Sequence, residues 1–282
     1  DDCERLERVL VNVIAPALGE SEALAYQPVN ALPGAENTGK YLLSERKTCT
    51  PVPAGELSSS ERIALLRALD AIRQTAWMAA DDKNLTLLLP LDGVCVARVA
   101  GAPVRVTVEG GFPYTQTVSL RVEAKQRAEL TLGLRIPAYA DNATVQLGDE
   151  TPQGAAAGKV FKLKMCVEGQ QTVTLHLPIL PRLEKGMHGS AAVLCGDVLM
   201  ALPAQDGVEW RYAIDPKAEI KWDADSFTCR AQAAPVPGWE QKGGFPAVPP
   251  QGVKGEAHSE LTLSPAAASP RRIALFPQVT GA

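Results

Sequence analysis

Eight short runs between about residues 84 and 179 alternate apolar and polar residues with a period near two, and no helical pattern interrupts them. Gly, Pro, Asn or Asp separates most of the runs, as is usual for turns between strands. Strands in this density without helices predict an antiparallel sandwich or barrel. We expect Val106, Leu120, Leu132 and Leu134 to face its core. The runs are LTLLLP, VCVARV, VRVTVEG, TVSLRVEA, AELTLGLRIP, ATVQLG, VFKLKMCV and QTVTLHLPI.

Two helices are predicted before these strands. Within residues 4–18 the apolar side chains recur at helical spacing, and Pro16 falls near the end, where a helix stops or kinks. The second helix reads SSSERIALLRALDAIRQTAWMAA, with Glu61 in its first turn and a serine as N-cap. The expected apolar positions are Leu6, Val9, Leu10, Val13 and Ile14 in the first helix, and Ile63, Leu66, Leu69, Ile72 and Ala76 in the second; the N-cap candidates are Ser58, Ser59 and Ser60.

A third region begins near Gly189 and carries further strand signals, interrupted by a segment rich in Pro and Gly at 235–252. The chain is therefore predicted to be mainly β, with two β-sandwich-like domains preceded by helices. The predicted boundaries are 1–82 for the helices, 83–187 for the first β-sandwich and 188–282 for the second β-domain.

Composition excludes several classes of function. A net charge of −4 and a pI near 5.5 give no field that favours nucleic acid. No apolar run reaches the length of a membrane span. The six cysteines are scattered without a CxxC pair, and no histidine has a second ligand at metal spacing, so we expect no metal site and no bound cofactor.

Several segments, taken in order, resemble β-L-arabinofuranosidases of glycoside hydrolase family 127 and their relatives. The resemblance implies that the chain is the C-terminal part of such an enzyme, with two β-domains after the last helices of an (α/α) barrel. Each motif is short, and their shared order carries the inference. The segments are ERLERVLVN with Tyr26 and Asn30-Ala31-Leu32, then DDKNLTLLLP, LTLGLRIPAYADNATVQLG, GSAAVLCGDVLMAL, PVPGW and LTLSPAAASPRRIALFP.

The resemblance also implies where catalysis would lie. The family that this chain resembles uses a cysteine nucleophile beside a zinc ion. Two of the cysteines at that site are adjacent in sequence and are followed by Pro. The nearest match here is Thr48-Cys49-Thr50-Pro51, with one cysteine, while a gap-free alignment from the next helix puts Ser60 and Glu61 at the paired positions. Cys49 is therefore the one catalytic candidate, and Arg46 and Lys47 could lower the pKa of its thiol.

The sequence leaves open whether the chain is an enzyme. The first hypothesis is a portion of a glycoside-hydrolase-like protein that is inactive alone, because the remaining ligands and the acid/base glutamate would precede Asp1. The alternatives are a non-catalytic structural or assembly subunit, in effect a pseudoenzyme, and a carbohydrate-binding module. The expected partner is a missing N-terminal helical half or another protein chain, and the aromatic side chains that could stack on a sugar are Trp210, Tyr212, Trp222 and Trp239.

Overall fold

The computed structural model describes residues 2–18, 59–186, 190–203, 209, 211–237, 253–254, 258–268 and 272–280. The chain is mainly β, as predicted. It divides into two compact units: the first comprises residues 1–7 and 68–180, and the second comprises residues 8–67 and 181–282. The boundaries expected at 82 and 187 remain predictions.

The N-terminal helical segment consists of α1 (Asp2–Val9), a π-helical stretch (Leu10–Ile14) and α2 (Ala15–Leu18). Its buried side chains are Glu7, Leu10, Val11 and Ile14. Two residues of the predicted apolar face are exposed in this chain, since Val9 and Val13 are 45% and 49% exposed. The π-helical turn shifts the side chains after Leu10, Val13 among them, relative to the regular spacing that the prediction assumed; Val9 precedes this turn.

Helix α3 (Ser59–Thr75) confirms the second predicted helix, but it ends five residues before the end of the predicted segment. The residues after it form a short strand, β1 (Trp77–Ala79). The predicted apolar face is only partly buried. Ile72 and Ala76 are in the core, whereas Ile63 and Leu66 are 49% and 54% exposed.

The first unit contains an eight-stranded sheet with the strand order β1-β2-β5-β8-β6-β7, in which β3 and β4 form a branch that joins β5. All pairings are antiparallel except that of β2 with β5. The parallel pair arises because the β3–β4 hairpin intervenes between these two strands in the chain. The remaining strands are β2 (Asn84–Leu87), β3 (Gly93–Val99), β4 (Ala102–Glu109), β5 (Thr117–Arg135), β6 (Ala143–Leu147), β7 (Gln153–Ala155) and β8 (Val160–His176).

The core of this sheet is aliphatic. Val106, Leu120, Leu132 and Leu134, which the sequence assigned to the core, are each 0% exposed. The strands β5 and β8 each combine two predicted strands, and they pair along nearly their whole length. A register shift between Ala124 and Ala128 accommodates the polar residues that separated the two predicted strands on β5.

The second unit contains a nine-stranded sheet and a separate parallel pair of β15 with β19. In the sheet the order is β12-β14-β16-β11-β10-β18, while β9 pairs with β10, β13 with β14 and β17 with β11. A short 3-10 turn at Ala266–Ala268 follows β16. The strands are β9 (Pro181–Lys185), β10 (Ala191–Cys195), β11 (Val198–Pro203), β12 (Tyr212–Ile214), β13 (Lys221–Asp223), β14 (Thr228–Pro235), β15 (Val253–Lys254), β16 (Ser259–Pro265), β17 (Arg272–Ile273), β18 (Leu275–Phe276) and β19 (Val279–Thr280).

None of the helices within the described ranges has the length and apolar character needed to cross a membrane.

Candidate functional site

The catalytic candidate Cys49 lies outside the described residues, and so do Arg46 and Lys47. Its role therefore remains a prediction. In the part of the chain that the structure does describe, no three His, Cys, Asp or Glu side chains come together in a group that could hold a metal ion. The geometry that the structure does show is built instead from charged side chains of the N-terminal helix.

In the first unit, the carboxylate of Glu7 is completely buried and is bound by two side chains from the LRIPAY segment. Arg135 donates from Nη1 to Oε2 of Glu7 over 3.0 Å, and Tyr139 donates its hydroxyl to Oε1 over 3.1 Å. The same Nη1 also donates to the carbonyl of Leu88 over 3.1 Å. This is a desolvated ion pair whose charges compensate each other, as a buried charge requires.

One turn earlier on α1, Glu4 accepts a hydrogen bond from the backbone N–H of Ala138 over 2.9 Å. Together Glu4 and Glu7 attach the start of α1 to the segment that follows β5. The sequence did carry a signal of this contact. Arg135 interrupts an otherwise apolar strand end, LGLRIP, and an arginine in such a place needs a buried partner.

In the second unit, Arg8 is the centre of a network of four charged side chains. Its guanidinium binds Glu184 through two hydrogen bonds of 2.9 and 2.7 Å, and its Nε donates to Oδ1 of Asp197 over 2.9 Å. Arg182 donates to the same two carboxylates over 3.1 and 3.0 Å. Two arginines thus face two carboxylates, so the network is neutral.

The network is anchored on the β10–β11 hairpin, whose two-residue turn is Gly196-Asp197. Gly196 has a φ of 59°, a left-handed conformation that glycine adopts without strain. The Asp197 side chain is 1% exposed, and its Oδ2 has no hydrogen-bond partner among the described residues. Asn12 adds backbone contacts, because it donates to the carbonyl of Asp197 and accepts from the N–H of Leu199, both over 2.8 Å.

Glu184 titrates under the influence of this network. Burial alone would raise its pKa, but the hydrogen bond and charge of Arg8, with the charge of Arg182, hold the pKa of Glu184 below its ordinary value. Burial alone would lower the pKa of Arg8, but the hydrogen bonds and charges of Glu184 and Asp197 outweigh burial. The pKa of Arg8 is therefore raised above its ordinary value. Both groups remain ionised at neutral pH, which suits a structural ion network rather than proton transfer.

The aromatic side chains proposed for sugar stacking are only partly described. Trp210 and Trp239 lie outside the described residues. Trp222 packs edge to face against Phe227, with ring centroids 4.9 Å apart and planes at 84°. The Trp222 ring therefore has an aromatic partner within the protein.

The first unit also has an open surface hollow, and its lining does not suit a sugar. No aromatic side chain lines it, so the ring-stacking platform that sugar sites commonly use is missing there. Its lining residues are Lys83, Glu129, Leu130, Thr131, Lys164, Met165 and Cys166.

The fold of the chain is similar to the β-rich part of glycoside hydrolases of the β-L-arabinofuranosidase type. Residues 87–179 match the family described as the GH127 middle domain of β-L-arabinofuranosidase. This match confirms the family resemblance inferred from the sequence for the first sheet and its LRIP segment. No curated protein matches the chain significantly.

Solved structures share the fold. A GH127 β-L-arabinofuranosidase from Geobacillus stearothermophilus T6 is 19% identical over 78% of this chain and 36% of its own, with a TM-score of 0.57. A protein described as a glycoside hydrolase is 13% identical over 99% of this chain and 48% of its own, with a TM-score of 0.71. A further GH127 β-arabinofuranosidase is 16% identical over 83% of this chain and 43% of its own, with a TM-score of 0.58. The chain thus spans less than half the length of each.

Proposed function

We propose that this chain is the C-terminal β-rich portion of a glycoside-hydrolase-like protein related to β-L-arabinofuranosidases, and that it does not cleave glycosides by itself. The match of residues 87–179 to the GH127 middle domain carries this proposal. The similar solved chains are about twice as long as this chain, which leaves room for a separate part that carries out the catalytic chemistry.

The chemistry of the candidate site supports the proposed inactivity. A thiolate nucleophile needs a metal or a cation to lower its pKa. The sequence around Cys49 offers one cysteine where the related enzymes have an adjacent pair. The charged clusters on the N-terminal helix are neutral and internally paired, so they supply neither an acid nor a base to a substrate.

Turnover of an aryl β-L-arabinofuranoside tests this directly. The purified chain, supplied with zinc, should release no more phenol than buffer, and Cys49→Ala should behave identically. The exposed thiol of Cys166 offers the matched control variant Cys166→Ala. Turnover that Cys49→Ala abolishes and Cys166→Ala retains would overturn the proposal and identify Cys49 as the nucleophile.

The partner of this portion is proposed to be helical. Helical residues carry four of its exposed large apolar side chains: Val9 and Val13 are four positions apart, and Ile63 and Leu66 are three apart. Residues with these spacings lie on one face of a helix, and such faces pack against other helices. We therefore assign these faces to the N-terminal helical half expected from the resemblance.

A pair of variants on α3 separates this partner contact from the internal core. Leu66 is 54% exposed, so Leu66→Asp should leave the melting temperature of the chain unchanged but weaken its co-purification with the helical half. Ile72 is 5% exposed, so Ile72→Ala should lower the melting temperature of the isolated chain. Unchanged co-purification of Leu66→Asp would contradict the proposed contact.

A non-catalytic assembly subunit is the second candidate, and the single cysteine at Cys49 favours it. The two candidates differ in the complete protein. If the complex with the helical half hydrolyses the aryl arabinofuranoside, the chain is part of an enzyme. If the complex forms and stays inactive, the chain is a structural subunit.

A further inference from the structure

Strand β3 is an open edge of the first sheet. It pairs with β4 along its whole length, from Gly93↔Val108 to Val99↔Ala102, and no described strand pairs with its other side. An open edge presents a row of unpaired backbone N–H and C=O groups that can pair with another strand. The other two edge strands of this sheet, β1 and β7, are each only three residues long.

The water-facing side of β3 is apolar at its centre. Val94 and Val96 are 51% and 68% exposed, whereas Cys95 and Ala97 between them contribute to the core. Natural edge strands are usually protected by charged side chains or proline. Here the charges lie only at the two ends of the exposed row, with Asp92 at one end and Arg98 at the other.

The row Asp92, Val94, Val96 and Arg98 is complementary to itself when it runs antiparallel. In the register that places Cys95 opposite Cys95, Val94 of each copy lies opposite Val96 of the other. The same register places Asp92 of each copy opposite Arg98 of the other. A register shifted to place Val96 opposite itself would instead set each Val94 against an arginine.

Both terminal charges are available for such a pairing. Among the described residues, Arg98 makes one long contact, 3.4 Å from Nη1 to the carbonyl of Gly101. The Asp92 carboxylate accepts the N–H of Gly111 over 3.2 and 3.3 Å, which leaves lone pairs on both oxygens. Both side chains are exposed.

We propose that two copies of this chain associate through β3, antiparallel about a two-fold axis at Cys95, and so join two first-unit sheets edge to edge. The interaction combines backbone hydrogen bonds, two Val–Val contacts and two Asp–Arg pairs. This isologous geometry is the usual form of a two-fold dimer. The interface is small, so the dimer should be reversible and depend on protein concentration.

Sedimentation velocity of the full chain over a concentration series tests the proposal. The wild-type chain should shift from monomer to dimer as concentration rises. Val96→Lys should stay monomeric, because the two introduced charges would face the partner's apolar row. Val160→Lys is the matched control, since Val160 is a valine 44% exposed on β8, and it should dimerise like the wild type.

The register is tested by exchanging charges. Arg98→Asp should weaken the dimer because it places a carboxylate of each copy opposite Asp92 of the other. Combining Asp92→Arg with Arg98→Asp should restore the dimer. Thermal melting by circular dichroism reports whether loss of the Gly111 hydrogen bond disturbs the fold of the double variant. Hydrogen exchange of the peptide covering 91–100 should slow at high concentration.

A wild-type chain that stays monomeric throughout the series would overturn the proposal. So would a dimer that Val96→Lys leaves intact, or one that Val96→Lys and Val160→Lys weaken equally. Failure of the folded double exchange to restore association would overturn the register about Cys95.

Discussion

Glu7 and Arg8 are neighbours in sequence, yet their charges are satisfied in opposite ways. In the first unit, Glu7 forms an ion pair with Arg135 at full burial, with side chains 0% and 5% exposed. In the second unit, Arg8 belongs to a network of four charges and is itself 39% exposed. The first arrangement is closed to water, whereas the second has four charged groups and access to solvent. Ion pairs with similar N–O distances can therefore contribute differently to stability when their burial differs.

The largest expected effect on stability comes from removing one member of the buried ion pair. Glu7→Ala should destabilise the chain by about 3–5 kcal/mol, because the Arg135 guanidinium would remain buried without its counter-charge. Replacing both residues, as in Glu7→Leu with Arg135→Met, should cost much less than the sum of the single changes. Urea denaturation of the four proteins measures this coupling, and additive effects would show that the two side chains are independent.

A smaller effect is expected at Arg8. Arg8→Ala should cost about 1 kcal/mol, since Arg182 stays to compensate Glu184 and Asp197 and solvent screens the rest. Added salt should reduce the cost of Arg8→Ala and leave that of Glu7→Ala nearly unchanged, because mobile ions screen exposed charges more than buried ones. Denaturation at low and high sodium chloride gives this comparison. Equal salt sensitivity of the two variants would remove the proposed contrast.

The smallest effect concerns pH. The folded-state pKa of Glu184 is below its ordinary value of 4.5, so its ionised form contributes stability above that pH. That contribution is lost as the pH falls through 4.5 toward the folded-state pKa. Glu184→Gln should therefore lose stability less steeply than the wild type in this acidic range. Melting temperatures measured across it provide the test, and parallel curves would exclude Glu184 as a source of the acid sensitivity.

Most strands of the first unit, β2 to β6 and β8, were predictable because burial on one face imposes a period of two on the sequence. Their lengths were not, since Lys125, Gln126 and Arg127 look like a turn but lie within β5 at the register shift. The short strands β7 and β9 lack the apolar alternation that would have predicted them.

The site was harder to predict than the strands. The pairing of Glu7 with Arg135 spans 128 residues; the LGLRIP pattern indicates that Arg135 needs a buried partner, but no local pattern identifies Glu7 as that partner. The spacing of 3.6 residues per turn did not predict the π-helical stretch in the N-terminal segment, so it did not predict the burial of Val11 either. Cys49 stays a prediction from resemblance alone.

The long strand β5 has a consequence for how fast the first unit can form. It pairs with β4, β2 and β8, and its partner residues are far apart in the chain, as in Thr117↔His176 and Asn84↔Thr131. Each such pairing closes a long loop before any contact energy is gained. A sheet with this topology should fold slowly compared with helical proteins of similar size, in milliseconds to seconds rather than microseconds. During that interval the apolar strands around β5 are exposed, so slow folding of this sheet gives aggregation more time to compete with the native fold.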